Sequence, residues 1–261
     1  MRAYFKLWLL LLFAFLIMSF IADLKNVRLF DFPIEQMRFA SDRIMEEKDI
    51  GKLSENSGYI YQKNKMYPTD SLEVDTIPKT LLFVGDSMIE GMCRRLGAYT
   101  EANKYSLYTV IWYGSTTKSW AERNLLAKYV KQYKPDFIFI SIGGNELFIR
   151  NIEHRRKYVH KILENTGGIP FLWIGPPNWK EDTGINSLIL SEVGRSSFFL
   201  SKNLKFERSS DGRHPTWESS YMWMDSVISS VSKSGHLKFK LKKPDKLVGK
   251  PTKIIMLSPD D

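Results

Sequence analysis

Cysteine is almost absent: Cys93 is the single one in 261 residues. That excludes a disulfide framework within the chain and a paired C-x-x-C centre. Its place, six residues after Ser87 in an apolar-rich run, reads as a small buried hydrophobe. Histidine is scarce too, with four in the chain. None lies in H-E-x-x-H, and His154, His160 and His236 do not group with Cys93 at metal-ligand spacing. Neither G-x-x-x-x-G-K-S/T nor G-x-G-x-x-G occurs, which removes the usual phosphate cradles. The G-x-S-x-G elbow is missing around Ser87. No repeat or low-complexity tract is visible. The expectation is a protein with no metal and no cofactor.

Acidic residues are in the minority. The chain has 29 Asp and Glu against 38 Lys and Arg, for a net charge of +9. A nucleic-acid partner is one meaning of such a surplus, but the distribution argues against it. Residues 233–261 hold eight Lys and three Asp, so +5 of the charge sits there. The remainder is only mildly basic. No helix concentrates arginine on one face, and no nucleic-acid motif is present. Residues 233–261 read as a solvated, flexible basic tail; weak contact with anionic lipid is the sharper reading. Hydrophobic residues make up 43% and charged residues 26%, enough for a sizeable globular core.

Leu7 to Ala22 is an uncharged, leucine-rich run of 16 residues, preceded by Arg2 and Lys6. A spanning helix usually needs about 20 apolar residues, with a lower limit near 17. Ser19 to Leu24 can extend this run into the interface. A cleaved signal peptide wants small residues three and one before the cut; Ala22 is small and Phe20 is not. Residues 1–24 therefore read as an uncleaved signal anchor, one transmembrane helix with the bulk of the chain outside the cytoplasm.

Residues 25–79 read as a polar connector, with a helix near Pro33 to Glu47 where Pro33 suits a first turn. From Thr80 short apolar runs alternate with amphipathic stretches. Thr80–Val84, Leu107–Trp112, Asp136–Ser141 and Pro170–Gly175 suit strands covered on both faces, and Ser197–Ser201 is a weaker fifth. Between them Met88–Ala98, Lys118–Tyr133, Asn151–Asn165 and Ser187–Val193 suit helices, and Trp217–Ser232 is a last one. This alternation predicts a parallel sheet with helices on both sides, over residues 80–232. Ligands in such folds bind at the carboxyl ends of the strands.

Ser87 follows the first strand directly, in Gly85-Asp86-Ser87, where it would open the next helix. That position exposes the hydroxyl and places the Ser87 N–H among the unpaired donors of a helix start. Asp211 and His214 lie three apart before the last helix; a serine nucleophile needs such a base, and the base needs an orienting carboxylate. Gly143-Gly144-Asn145 follows the third strand, and the Asn145 amide can aim at an oxyanion. Gly114 follows the second strand and can present a backbone N–H to the same spot. Taken singly, each is ordinary cap or turn chemistry. Together, at successive strand ends, they form a nucleophile, a base with its orienter and further oxyanion donors.

With these four blocks the chain resembles the SGNH (GDSL-type) hydrolase superfamily. Gly85-Asp86-Ser87-Met88 matches the first block, with Met88 where Leu is usual; Gly114 fits the second, Gly143-x-Asn145 the third and Asp211-x-x-His214 the last. Glu146 stands where that family commonly has Asp. The resemblance covers roughly residues 80–232. It implies a flavodoxin-like three-layer α/β/α domain with a five-stranded parallel sheet. It also implies a Ser87, His214 and Asp211 triad, with Ser87, Gly114 and Asn145 around an oxyanion, and a structural Asp86.

Compartment narrows the expected substrate to O-acyl, above all O-acetyl, groups of a cell-envelope glycan. Trp179, in Gly175-Pro176-Pro177-Asn178-Trp179, is the expected substrate-side aromatic. An O-acetyltransferase using the same triad beside an integral-membrane acyl-donor protein is the alternative the resemblance allows. A non-catalytic glycan-binding protein on the same fold is the third.

Overall fold

The computed structural model describes residues 77–235 and 237–258, together with the backbone of 28–29 and 32–33. Arg28–Leu29 and Phe32–Pro33 form a two-residue antiparallel pair. The anchor expected over 1–24 and the remainder of the helix expected near Pro33 to Glu47 lie outside the described residues. Among the described residues no helix is long and apolar enough to cross a membrane.

Six strands form one parallel sheet: β1 (Thr80–Gly85), β2 (Ser106–Trp112), β3 (Phe137–Ser141), β4 (Phe171–Ile174), β5 (Phe198–Phe199) and β6 (Lys253–Leu257). Their order is β5-β4-β3-β1-β2-β6. Read from β2, this is the 2-1-3-4-5 order of doubly wound sheets, with β6 added outside β2. The chain reverses direction across the sheet between β1 and β3, and the crevice at their carboxyl ends is the expected ligand position.

The helices are α1 (Ile89–Asn103), α2 (Thr117–Glu122), α3 (Leu125–Tyr133), α4 (Arg156–Glu164), α5 (Ile185–Val193) and α6 (Trp217–Lys233). Successive strand residues face opposite sides, so β1 divides its side chains between two cores. Leu81 and Phe83 pack with Ile89, Leu96, Trp223 and Val227 from α1 and α6. Leu82 and Val84 pack with Trp120, Leu126, Val159 and Ile189 from α2 to α5. These are three layers, helix on sheet on helix. Full burial of each large apolar side chain contributes roughly 1.5–3 kcal/mol, and dozens of them fix the sheet that carries the site.

Three sequence expectations are corrected. The sheet has six strands, not five. The sixth comes from the segment expected to be a solvated tail: Leu237, Phe239 and Leu241 are buried against the α1/α6 side, and Lys253–Leu257 pairs in register with β2. The single helix expected over Lys118–Tyr133 is two, because Asn124 adopts a left-handed conformation (φ 51°) that ends one helical path and starts another. The start of the helix expected over Asn151–Asn165 winds as a 3₁₀ turn, Ile152–Arg155, before α4 begins.

Candidate active site

The loop after β1 carries Ser87. The helix begins at Ile89, one residue later than the expected Met88, so Ser87 stands in the connecting turn with its side chain half-buried. Among the described residues no acceptor takes the Ser87 N–H. Asp86 beside it is almost fully buried (1%). Its Oδ1 accepts from the Met88 N–H at 3.0 Å and its Oδ2 from the Gly144 N–H at 3.2 Å. One carboxylate thus ties the loop after β1 to the loop after β3, across the crevice. Burial pushes the Asp86 carboxyl up to about 6, partly offset by those two backbone donors.

Asp211 and His214 come from a small hairpin. The Ser209 N–H donates to the His214 carbonyl at 2.8 Å and the Thr216 N–H to the Glu207 carbonyl at 2.9 Å. Gly212 turns the corner with φ of +66°, a conformation a side chain rarely adopts. Thr216 then caps α6, its side chain accepting from the Ser219 N–H. Within the hairpin, Asp211 Oδ2 lies 2.5 Å from His214 Nδ1. Asp211 Oδ1 accepts from the Arg213 and His214 N–H groups and from the Ser209 hydroxyl, at 2.8, 3.0 and 2.8 Å. The His214 side chain first, then these donors, hold the Asp211 carboxyl well below the usual carboxylate range.

The hairpin is aimed at the β1 loop. Ser87 Oγ and His214 Nε2 are 2.8 Å apart, 127 positions apart in sequence. An ionised carboxylate can only accept, so Nδ1 carries the ring hydrogen that faces Asp211. In the neutral ring Nε2 is then the unprotonated nitrogen, placed to accept from the Ser87 hydroxyl.

Asn145 sits in the 3₁₀ turn Gly144–Glu146 after β3, at the edge of the same cleft. One of its amide hydrogens is committed, Nδ2 donating to the Ser115 carbonyl at 2.9 Å. That bond fixes the side chain and leaves the second hydrogen for a ligand. Glu146 is fully buried. Its carboxylate accepts from the Thr117 N–H and hydroxyl at 2.7 and 2.8 Å and pairs with Arg155 at 3.0 Å. Burial raises the Glu146 pKa, opposed by the Thr117 donors and Arg155. Glu146 therefore braces the Asn145 turn from below. Gly114 is exposed, with φ of +70°, and is not among the residues lining the cleft.

The cleft measures ≈ 690 Å³, and Ser87, Asn145, Phe148, Trp179, Asp211 and His214 are among its lining residues. Trp179 lies half-buried at its wall, edge-on to Phe148 with ring centroids 5.6 Å apart. The structure brings five of the six sequence-predicted residues to one cleft and leaves Gly114 outside its lining.

No family model and no curated protein matches this chain. Solved structures do. The crystal structure of TesA is similar at 20% identity and a TM-score of 0.48, over 60% of this chain and 99% of that one. A gut microbial diltiazem-metabolizing enzyme is similar at 9% identity and a TM-score of 0.26, over 60% of this chain and 34% of that one.

Sequence reasoning missed several residues around the site. Arg208 donates to the carbonyls of Arg213, Pro177 and Asn178 and so joins the hairpin to the Trp179 loop. Ser209 supports Asp211. Phe148, Lys180 and Arg213 line the cleft. None of the five carries a spacing signal, because each acts through a loop whose path the sequence does not announce. Cys93, by contrast, is buried as expected; burial pushes its thiol up to about 12.

Proposed function

We propose that this chain is a serine esterase acting through an acyl-enzyme on O-acetyl groups of an extracytoplasmic glycan, held at the membrane by residues 1–24. The observation that carries the chemistry is the continuous line from Ser87 Oγ through His214 to Asp211. The apolar run Leu7–Ala22 supports the anchor, and the wall formed by Trp179 and Phe148 is suited to the face of a sugar ring.

In this reading, Ser87 Oγ attacks the ester carbonyl while its proton passes to His214 Nε2. Asp211 keeps the ring in the productive tautomer and stabilises the imidazolium that forms. The Ser87 N–H and the second hydrogen of Asn145 Nδ2 hold the oxyanion. His214 returns the proton to the departing sugar oxygen. Water, deprotonated in turn by His214, releases acetate and restores Ser87. A sugar hydroxyl in place of water makes the same site an acetyltransferase, with an integral-membrane protein as acyl donor.

The test is turnover of an aryl acetate by the full-length protein in detergent, with and without Ser87→Ala and with a polysaccharide acceptor. Ser87-dependent release of acetate into water is the expected result. Release that accelerates with the acceptor and acetylates it replaces the esterase by the transferase. No Ser87-dependent release with or without acceptor overturns both and leaves a glycan-binding role.

A further inference from the structure

Two cations stand at the Ser87 cleft without a counter-ion among the described residues. Lys180 and Arg213 both line it and both are exposed. Among the described residues, neither side chain has a hydrogen-bond or ion-pair partner. The neighbouring carboxylates are committed elsewhere. Asp86 accepts from the Met88 and Gly144 N–H groups, and Asp211 from His214 and the hairpin. Asp182 accepts from the Asn178 and Asn186 amides and the Gly184 N–H. Glu181, next to Lys180 in sequence, does not line the cleft.

A third cation lies behind these two. The Arg208 guanidinium donates to the Pro177 and Asn178 carbonyls, on the loop that carries Lys180, and to the Arg213 carbonyl itself. The two free cations are therefore presented on loops that are clamped to each other. Asp86 and Asp211 line the same cleft, but their oxygens are taken by the donors above, so Lys180 and Arg213 are the charged groups left to pair with an anion that a ligand brings in.

We infer that the cleft takes an acidic substrate: a sugar ester whose alcohol portion carries a carboxylate, sulfate or phosphate, held by Lys180 and Arg213 while Ser87 addresses the acyl carbonyl. The ester step rests on the esterase reading above; recognition of the anion does not. The geometry divides the work. Phe148 and Trp179 offer an apolar wall to the ring, and the two cations select the charged substituent.

Binding separates the two ideas. The full-length Ser87→Ala protein is titrated, by ligand-observed NMR, with methyl glucoside, methyl glucuronoside, methyl glucoside 6-sulfate and methyl glucoside 6-phosphate. At least one anionic glycoside is expected to bind about tenfold more tightly than the neutral one, the size that two exposed charge contacts supply together. Which anion is preferred identifies the substituent. Lys180→Gln combined with Arg213→Gln should bring that ratio to about one. Lys180→Arg combined with Arg213→Lys should keep it, which a mere folding defect would not. Equal binding of all four, no binding by any anionic glycoside, or a preference that survives the double Gln variant overturns the inference. Turnover of the acetylated forms by the unmodified protein is the separate check: anion preference without Ser87-dependent turnover leaves this inference standing and removes the esterase reading.

Discussion

Arg208 reaches from the hairpin that carries Asp211 and His214 to the loop after β4, its Nη2 donating to the Asn178 carbonyl at 2.8 Å. The same guanidinium donates to the Arg213 carbonyl at 2.6 Å, one residue before His214. Burial lowers its pKa, partly offset by the nearby Asp211 charge. It makes no hydrogen bond to the Ser87 or His214 side chain, so under the proposed mechanism it is a positioning residue.

Arg208→Met should keep the stem and lose the three donors. Displacement of a catalytic group by about 1 Å can cost 100-fold, so kcat for an aryl acetate is expected to fall about 10- to 100-fold. Arg208→Lys should restore little, because one ammonium cannot span two loops. A purely structural role would lower the melting temperature and leave the kcat of the remaining folded protein intact; that outcome removes the positioning role.

Asn145 and Ser87 make separable predictions. Ser87→Ala should abolish acyl-enzyme formation. Asn145→Ala should lower kcat by roughly 100- to 1,000-fold, the usual effect of losing one oxyanion donor. The variant also frees the Ser115 carbonyl, so a melting curve must accompany the kinetics. A loss under about threefold at Asn145 means that its second amide hydrogen does not meet the oxyanion.

Asp211→Asn isolates the tautomer. Asn Oδ1 can still accept from the Arg213 and His214 N–H groups, as Asp211 Oδ1 does. Its amide hydrogens would face His214 Nδ1 where Oδ2 stands now. Nδ1 must then accept, the ring hydrogen moves to Nε2, and Nε2 can no longer take the Ser87 proton. A fall in kcat of up to about 10⁴-fold is expected, together with a reversal of the His214 ring nitrogen shifts in ¹⁵N NMR. Unchanged shifts would place the control of the tautomer elsewhere.

Asp86 predicts a pH dependence with a definite sign. Its folded pKa is raised from 3.8 to about 6, chiefly by burial. Below the unfolded value both states are protonated and folding is not penalised. As pH rises through the window from about 4 to about 6, the unfolded chain releases its proton first and the native state loses stability. Asp211 and Asp182 are shifted downward and contribute the opposite slope at lower pH. Chemical denaturation across pH 4–7 should therefore show Asp86→Asn lacking a stability loss that the unmodified protein displays. Identical slopes in the two proteins would mean that Asp86 titrates normally.

How far the sequence was legible follows from what each residue does. Thr80–Gly85 and Phe137–Ser141 were readable because their strands are buried on both faces and run apolar throughout. That Ser87, Asp211 and His214 meet was foreseeable from their places, one directly after β1 and two just before α6, which a parallel sheet brings to the same end. β6 was not. Lys253–Leu257 lies at the sheet edge, with Ile254 and Met256 exposed, inside a lysine-rich stretch whose charge hid its pattern. The clamp at Arg208 was illegible for another reason: its partners are backbone carbonyls, which every residue type supplies.

That hidden stretch gives the last prediction. From 237 to 242 apolar and lysine residues alternate, with Leu237, Phe239 and Leu241 buried and Lys238, Lys240 and Lys242 exposed. The segment is fastened further on. Arg95, only 2% exposed, pairs with Asp225 at 2.6 Å and donates to the Lys246 and Leu247 carbonyls at 2.7 and 3.0 Å. At Gly249 the chain runs so close to α1 that an added Cβ would lie 2.4 Å from the Ala98 nitrogen. Gly249→Ala must therefore lift the segment off the helix. Loss of three buried side chains at roughly 1.5–3 kcal/mol each is a large share of the 5–15 kcal/mol that holds a domain of this size together. Truncation after residue 235 should give insoluble or molten protein, and Gly249→Ala should lower the melting temperature by several degrees. A truncated chain that melts like the full-length protein would return the segment to the status of a solvated tail and leave β2 as the natural edge of the sheet.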